Sequence, residues 1–147
     1  MQKFEISVHV NRPVAEVFEY FNDPTRMPEW NTTVEEATPS ETPIKVGTRI
    51  HTRGRMLGRK IEGTVEVVEY ESNKRVVQKS DEPFSWKAIN TFQAENGGTR
   101  VVSACEGETR GFLKLSEPLF ARIAKKQLQA QFETAKELLE AQVPAET

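Results

Sequence analysis

The chain has 147 residues, enough for one domain with a sizeable core and too few for two. Charged residues make up 29% and hydrophobic residues 37%, and 20 basic against 22 acidic side chains leave a formal charge of −2. That balance excludes a general electrostatic attraction to nucleic acid or anionic membrane. A single cysteine, Cys105, excludes an intramolecular disulfide and a cysteine-based zinc site.

Residues 3–10 (KFEISVHV) alternate: Phe4, Ile6, Val8 and Val10 share one face and Lys3, Glu5, Ser7 and His9 the other, a half-buried strand. This strand pattern starts too early for a signal peptide, and no apolar run approaches the roughly 20 residues that span a bilayer. A soluble, cytoplasmic protein is therefore expected. Asn11-Arg12-Pro13 opens a helix, with Asn11 as its expected cap and Pro13 in its first turn. Val14, Val17, Phe18 and Phe21 form the apolar stripe, and Asn22-Asp23-Pro24 ends it. Met27-Pro28-Glu29-Trp30-Asn31 reads as a second short helical turn, followed by a strand at residues 33–38 and a proline-containing loop over 39–46.

From residue 47 the pattern is a β-meander with runs at 47–56, 60–71, 74–81, 84–95 and 99–109. Leu57-Gly58-Arg59, Ser72-Asn73, Glu82-Pro83 and Asn96-Gly97-Gly98 separate them; the last suits a hairpin because glycine and asparagine tolerate positive φ. Residues 116–142 then form one long helix capped by Ser116. Its buried stripe is Phe120, Ile123, Ala124, Leu128, Phe132, Ala135 and Leu139. Strands joined by tight turns pair antiparallel, and the sheet's apolar face needs the long helix as its cover. The expectation is one α+β domain over residues 1–143, with a short polar tail at 144–147.

The chain resembles the START/SRPBCC superfamily, and within it the polyketide cyclase/dehydrase-like family. The likeness runs through Val10-Asn11-Arg12-Pro13-Val14-Ala15-Glu16-Val17-Phe18, Asp23-Pro24 and Pro28-Glu29-Trp30-Asn31. It continues in Val67-Val68-Glu69-Tyr70-Glu71, Gly98-Thr99-Arg100-Val101 and the helix from Pro118-Leu119. The resemblance implies a helix-grip fold: a curved antiparallel sheet of about seven strands and two short helices wrapped around the long C-terminal helix. It leaves function open, since members include lipid binders, aromatase/cyclases, hydrolases and chaperone regulators.

Strand parity can be read from the residues alone. In residues 49–56, Arg49, His51, Arg53 and Arg55 share a face, which places Ile50, Thr52, Gly54 and Met56 inward. The inward sets that follow are Ile61, Gly63, Val65 and Val67; then Phe84, Trp86, Ala88, Asn90 and Phe92; then Val101, Ser103, Cys105, Gly107 and Thr109. A bulge would invert any of them. Aromatic walls mixed with Gly54, Gly63, Ala88 and Gly107 describe a pocket under the helix; the alternative is a filled core. Candidate ligand-binding residues are Trp30, Thr52, Met56, Phe84, Trp86, Asn90, Phe92, Ser103 and Cys105, with Phe120 and Leu128 from the helix. Phe112, in the Gly111-Phe112-Leu113 stretch before that helix, joins them as a residue of the mouth or as ordinary packing.

The inward polar groups, Thr52, Asn90, Ser103, Cys105 and Thr109, are neutral, and both histidines face outward. General acid–base chemistry needs a titratable group beside the substrate. No metal-ligand spacing, phosphate loop or nucleophile elbow is present, so no catalytic residue, metal or cofactor is assigned. Cys105 reads as a buried structural thiol, the alternative being a nucleophile, and His51 as an exposed strand residue. The stripe Arg49, Arg53, Arg55, Arg59 and Lys60 reads as paired across strands with Glu62 and Glu66, not as an RNA-binding surface.

The leading expectation is a non-catalytic binder of a small hydrophobic, aromatic or lipid-like molecule, monomeric or homodimeric, without nucleic-acid partner or membrane insertion. A cyclase/dehydratase-like enzyme positioning its substrate through Asn90, Ser103 and Thr109 is the alternative. A regulatory module using the outer sheet face is the third.

Overall fold

The computed structural model describes residues 2–82, 84–108 and 116–142. Strand β1 (Gln2–Val10) leads into helix α1 (Val14–Phe21), a 3-10 turn at Pro24–Arg26 and the short helix α2 (Met27–Trp30). Strands β2 (Val34–Pro39), β3 (Arg49–Met56), β4 (Arg59–Glu71), β5 (Arg75–Ser80), β6 (Ser85–Glu95) and β7 (Gly98–Glu108) follow. Helix α3 (Glu117–Ala141) is the last element. The strands form one antiparallel sheet in the order β1-β7-β6-β5-β4-β3-β2. This is the helix-grip arrangement, with α3 lying along β1 and closing the concave face. Glu82-Pro83 falls partly, and Thr109, Phe112 and the 144–147 tail wholly, outside the described residues.

Two hairpin turns place both central residues in the left-handed region: Leu57 (φ 51°) with Gly58 (φ 78°), and Asn96 (φ 48°) with Gly97 (φ 77°). Such turns match the right-handed twist of the flanking strands. Ser116 caps α3, its hydroxyl accepting from the Leu119 N–H at 3.3 Å. Asn11 does not cap α1; Pro13 stands at the cap position and no side chain bonds the first turn. The Asn11 N–H instead donates to the Glu140 carboxylate at 2.8 Å.

That bond belongs to a latch between the chain's two ends. The Arg12 guanidinium donates to the carbonyls of Leu139 (3.0 Å), Glu140 (3.3 Å) and Gln142, acceptors at the C-terminus of α3, where a helix runs out of its own N–H partners. Thr99, fully buried, donates its hydroxyl to the Arg12 carbonyl at 2.8 Å and fixes the arginine's own backbone.

Bulges interrupt two ladders, at Val34/Glu36 and Val67/Glu69. The second reverses parity within β4. Val67 faces inward, and after the extra residue so does Tyr70, which meets the ring of Phe18 edge-on at 5.5 Å. The first brings β2 hard against β3. A Cβ on Gly54 would lie 1.7 Å from the Thr33 carbonyl oxygen, so this glycine serves backbone approach and leaves no empty space. The expected role of Gly54 in opening a pocket is thereby corrected.

The outer face of β3 carries ion pairs, as its charge pattern predicts, with a change of partners. Arg49 reaches Glu66 (4.0 Å) and His51 reaches Glu62 (2.7 Å), while Arg53 and Arg55 turn to Glu36 (3.0 Å) and Glu35 (3.9 Å) of β2. All are well exposed, and exposed pairs contribute at most about 1 kcal/mol each.

Candidate functional site

Antiparallel pairing brings the start of β1, the end of β7, the start of β6, the end of β5 and the turn between β3 and β4 to one end of the sheet. The N-terminal turns of α3 border the same cavity. It has a volume of about 300 Å³, lies between sheet and helix, and is partly open to solvent. That is at the lower limit for small-molecule pockets.

A cluster of aromatic rings borders the cavity at its other end. Phe21 packs against Phe132 (4.9 Å between centroids), Trp30 (5.3 Å) and Phe92 (6.1 Å), and Phe92 meets Phe18 edge-on at 5.0 Å. Tilted and edge-on pairs of this kind contribute about 0.5–1.5 kcal/mol each beyond area burial. α2 holds Trp30 in this cluster because Tyr20 donates its phenol to the Glu29 carboxylate at 3.0 Å. Burial, and then that hydrogen bond, push the Tyr20 phenol up to about 12. The Trp30 indole nitrogen is buried and has no hydrogen-bond partner among the described residues. Nearer the open end, Phe84 beside β6 and Phe120 on α3 meet edge-on at 5.1 Å, bridging sheet and helix.

The structure brings Trp30, Thr52, Met56, Phe84, Trp86, Asn90, Phe92, Ser103, Cys105, Phe120 and Leu128 together on the wall of this one cavity. Phe112 lies outside the described residues. Gly54 and Gly63 do not border the space, whereas Ala88 and Gly107 do. Sequence parity missed Gln78 and Ser80, because Arg75-Val76-Val77-Gln78-Lys79-Ser80 mixes polar and apolar residues on both faces. It also missed Gln131 of α3, 5% exposed, whose amide donates to the Thr32 hydroxyl at 3.3 Å.

Ser103 Oγ and Cys105 Sγ lie 3.4 Å apart, and Thr52 donates to the Gly63 carbonyl at 3.3 Å. Burial pushes the Cys105 thiol up, against a smaller opposing effect from Ser103, so the nucleophilic thiolate is disfavoured. Among the described residues, no three His, Cys, Asp or Glu side chains are placed to hold a metal ion. The sequence reading of an uncharged interior needs one correction: Glu82, Lys87, Glu106 and Glu117 also border the cavity. Glu106 still points outward by parity, its carboxylate 3.8 Å from Lys3. His51 is held on the outer face by Glu62.

A family model described as polyketide cyclase/dehydrase and lipid transport matches residues 1–140. Several solved structures share the fold. TTHA0849 from Thermus thermophilus is 18% identical with a TM-score of 0.78, the match covering 95% of this chain and 98% of that one. Ara h 8.0201 is 13% identical with a TM-score of 0.73, covering 96% and 99%. The Aha1 dimer from Colwellia psychrerythraea is 12% identical with a TM-score of 0.70, covering 96% and 98%. At these identities the likeness speaks for the fold alone. No curated protein matches the chain. Among the described residues, no helix is long and apolar enough to cross a membrane.

Proposed function

The chain belongs to the polyketide cyclase/dehydrase and lipid transport family, and from that premise we propose that it binds a small hydrophobic or aromatic molecule between sheet and helix without transforming it. The observation that carries this reading is the cavity itself, about 300 Å³ walled by Phe84, Trp86, Phe92, Phe120 and Leu128 over a floor of neutral polar groups. A filled core would have packed this volume, because protein interiors leave few voids larger than a water molecule.

Catalysis is disfavoured by the arrangement of the titratable groups. Among the described residues that border the cavity, Glu82, Lys87 and Glu106 lie towards the strand ends and Glu117 at the start of α3, and burial pushes the Cys105 thiol up. A general acid or base has to sit within hydrogen-bond reach of the reacting atom. The outer face of β3, the basis of the regulatory-module alternative, has its arginines at positions 49, 53 and 55 neutralised by neighbouring glutamates.

The test is native mass spectrometry and organic extraction of the purified protein, together with titration by N-phenyl-1-naphthylamine, a neutral dye that fluoresces in apolar surroundings. A stoichiometric adduct or saturable dye binding at micromolar concentrations is expected, with Trp86→Ala weakening the dye. Absence of both adduct and saturable binding would overturn the proposal.

A further inference from the structure

Gln78 and Asn90 occupy the inner faces of β5 and β6, and both border the cavity. In the ladder Val76 opposes Asn90 and Gln78 opposes Ala88, which makes the two amides diagonal neighbours within reach of one another's ligand. On the other side Asn90 faces Ser103, and Ala88 faces Cys105. Among the described residues, neither side-chain amide has a hydrogen-bond partner, and neither is sealed from the cavity. Two carboxamides side by side offer both donors and acceptors from one patch of an otherwise aromatic wall. Polar groups buried by an arriving ligand have to find partners on it, or their desolvation weakens binding.

The charges point the same way. Among the described residues, no cation borders the cavity beside these amides. Of the charged described residues that do border it, Glu82 and Glu117 stand against Lys87, while the Glu106 carboxylate turns outward to Lys3. An anionic head group would leave water, pass carboxylates and meet no fixed positive charge next to Gln78 and Asn90. A cation would find no carboxylate beside them either.

We infer that the cavity selects an uncharged ligand with a hydrogen-bond donor and acceptor on one edge of an apolar ring, the edge read by Gln78 and Asn90. This rests on the ligand-binding reading and adds what the ligand's polar end must be. Carboxylates such as free fatty acids are poor occupants. A neutral amide, or a phenol beside a carbonyl, is a good one.

The experiment measures displacement of N-phenyl-1-naphthylamine at pH 7.5 by four probes sharing one ring system: 2-naphthamide, 2-naphthoate, 2-methylnaphthalene and 2-naphthylmethylammonium. The amide is expected to displace the dye at a concentration about tenfold or more below either charged probe. Asn90→Leu and Gln78→Leu, checked for folding by far-UV circular dichroism, are expected to reduce that preference to under about threefold while still binding 2-methylnaphthalene. The wild-type preference needs no variant, so it tests the inference even if a variant misfolds. Equal or tighter binding of naphthoate or the ammonium probe overturns the inference, and so does a preference untouched by both variants. In those cases the dye and 2-methylnaphthalene still bind and the cavity reading stands. If neither binds, that reading falls, and the inference with it.

Discussion

Replacing Arg12 by methionine keeps the aliphatic stem and deletes the guanidinium that ties α1's approach to the end of α3. In the structure that group donates to the carbonyls of Leu139, Glu140 and Gln142. A hydrogen bond from a charged donor contributes about 1.5–3 kcal/mol when buried. These are partly exposed and share one cation, so the set is worth about 2–3 kcal/mol, including about 0.5 kcal/mol from the helix dipole. For a domain of 147 residues the unfolding entropy is about 0.3 kcal/mol per kelvin. Arg12→Met should therefore lower Tm by about 6–10 °C, measured by circular dichroism or calorimetry. Arg12→Lys should recover less than half of the loss, because an ammonium cannot present a planar fork to several carbonyls. Amide exchange should speed up first at residues 138–142. A Tm within about 1 °C of wild type, or full rescue by lysine, would refute the reasoning.

Trp30→Phe should cost no more than about 1 kcal/mol in urea unfolding, since the ring contacts with Phe21 and Phe132 persist and the deleted N–H has no partner among the described residues, whereas Trp30→Ala should cost about 3–5 kcal/mol. Glu140 is held below the ordinary carboxylate range, chiefly by the Lys136 ammonium at 2.6 Å and also by the Asn11 N–H. Its folded pKa lies below its unfolded one, so its contribution is present above the unfolded value and is lost as pH falls through the folded one. Unfolding midpoints taken downward from about pH 6 should accordingly fall more steeply for wild type than for Glu140→Gln. Cys105, with its thiol pushed up by burial on the cavity wall, should react with Ellman's reagent more slowly than a free cysteine at about pH 8; saturating dye should slow it further, and a rate equal to that of free cysteine would count against its placement.

The clean alternations were the legible part of the chain. In β3 the basic residues on the odd positions marked which face was buried, and Ile50 is 1% exposed. The β6 and β7 sets behaved alike, because no bulge interrupts their pairing. Tyr70 was out of reach, since only the bulge after Val67 turns it inward, and a bulge depends on how two strands meet. Gly54 was legible as small but not as filled; the carbonyl that occupies its Cβ position comes from Thr33, twenty-one residues earlier in the chain. Gln78 and Gln131 escaped because a glutamine at an inward position looks like surface until the neighbouring element is placed over it. Asn11 misled because the cap position falls two residues later, at Pro13, and what Asn11 contributes is its backbone N–H, given to Glu140 129 residues away.

The latch formed by Arg12 and Asn11 has a mechanical consequence. α3 is about 37 Å long, its 25 residues rising 1.5 Å each. Its other side-chain ties to the sheet side include Gln129 to the Ser7 carbonyl and Gln131 to Thr32, both at or beyond mid-length. The half that carries Phe120, Ala121, Ala124 and Gln127 runs beside empty volume. The helix is held hardest at its C-terminus, where its last carbonyls are tied by a guanidinium, and its entrance end is held to the sheet side by the ring contact of Phe120 with Phe84. Parting two apolar rings costs less than breaking hydrogen bonds from a charged donor, so opening would start at the entrance and leave the latch intact.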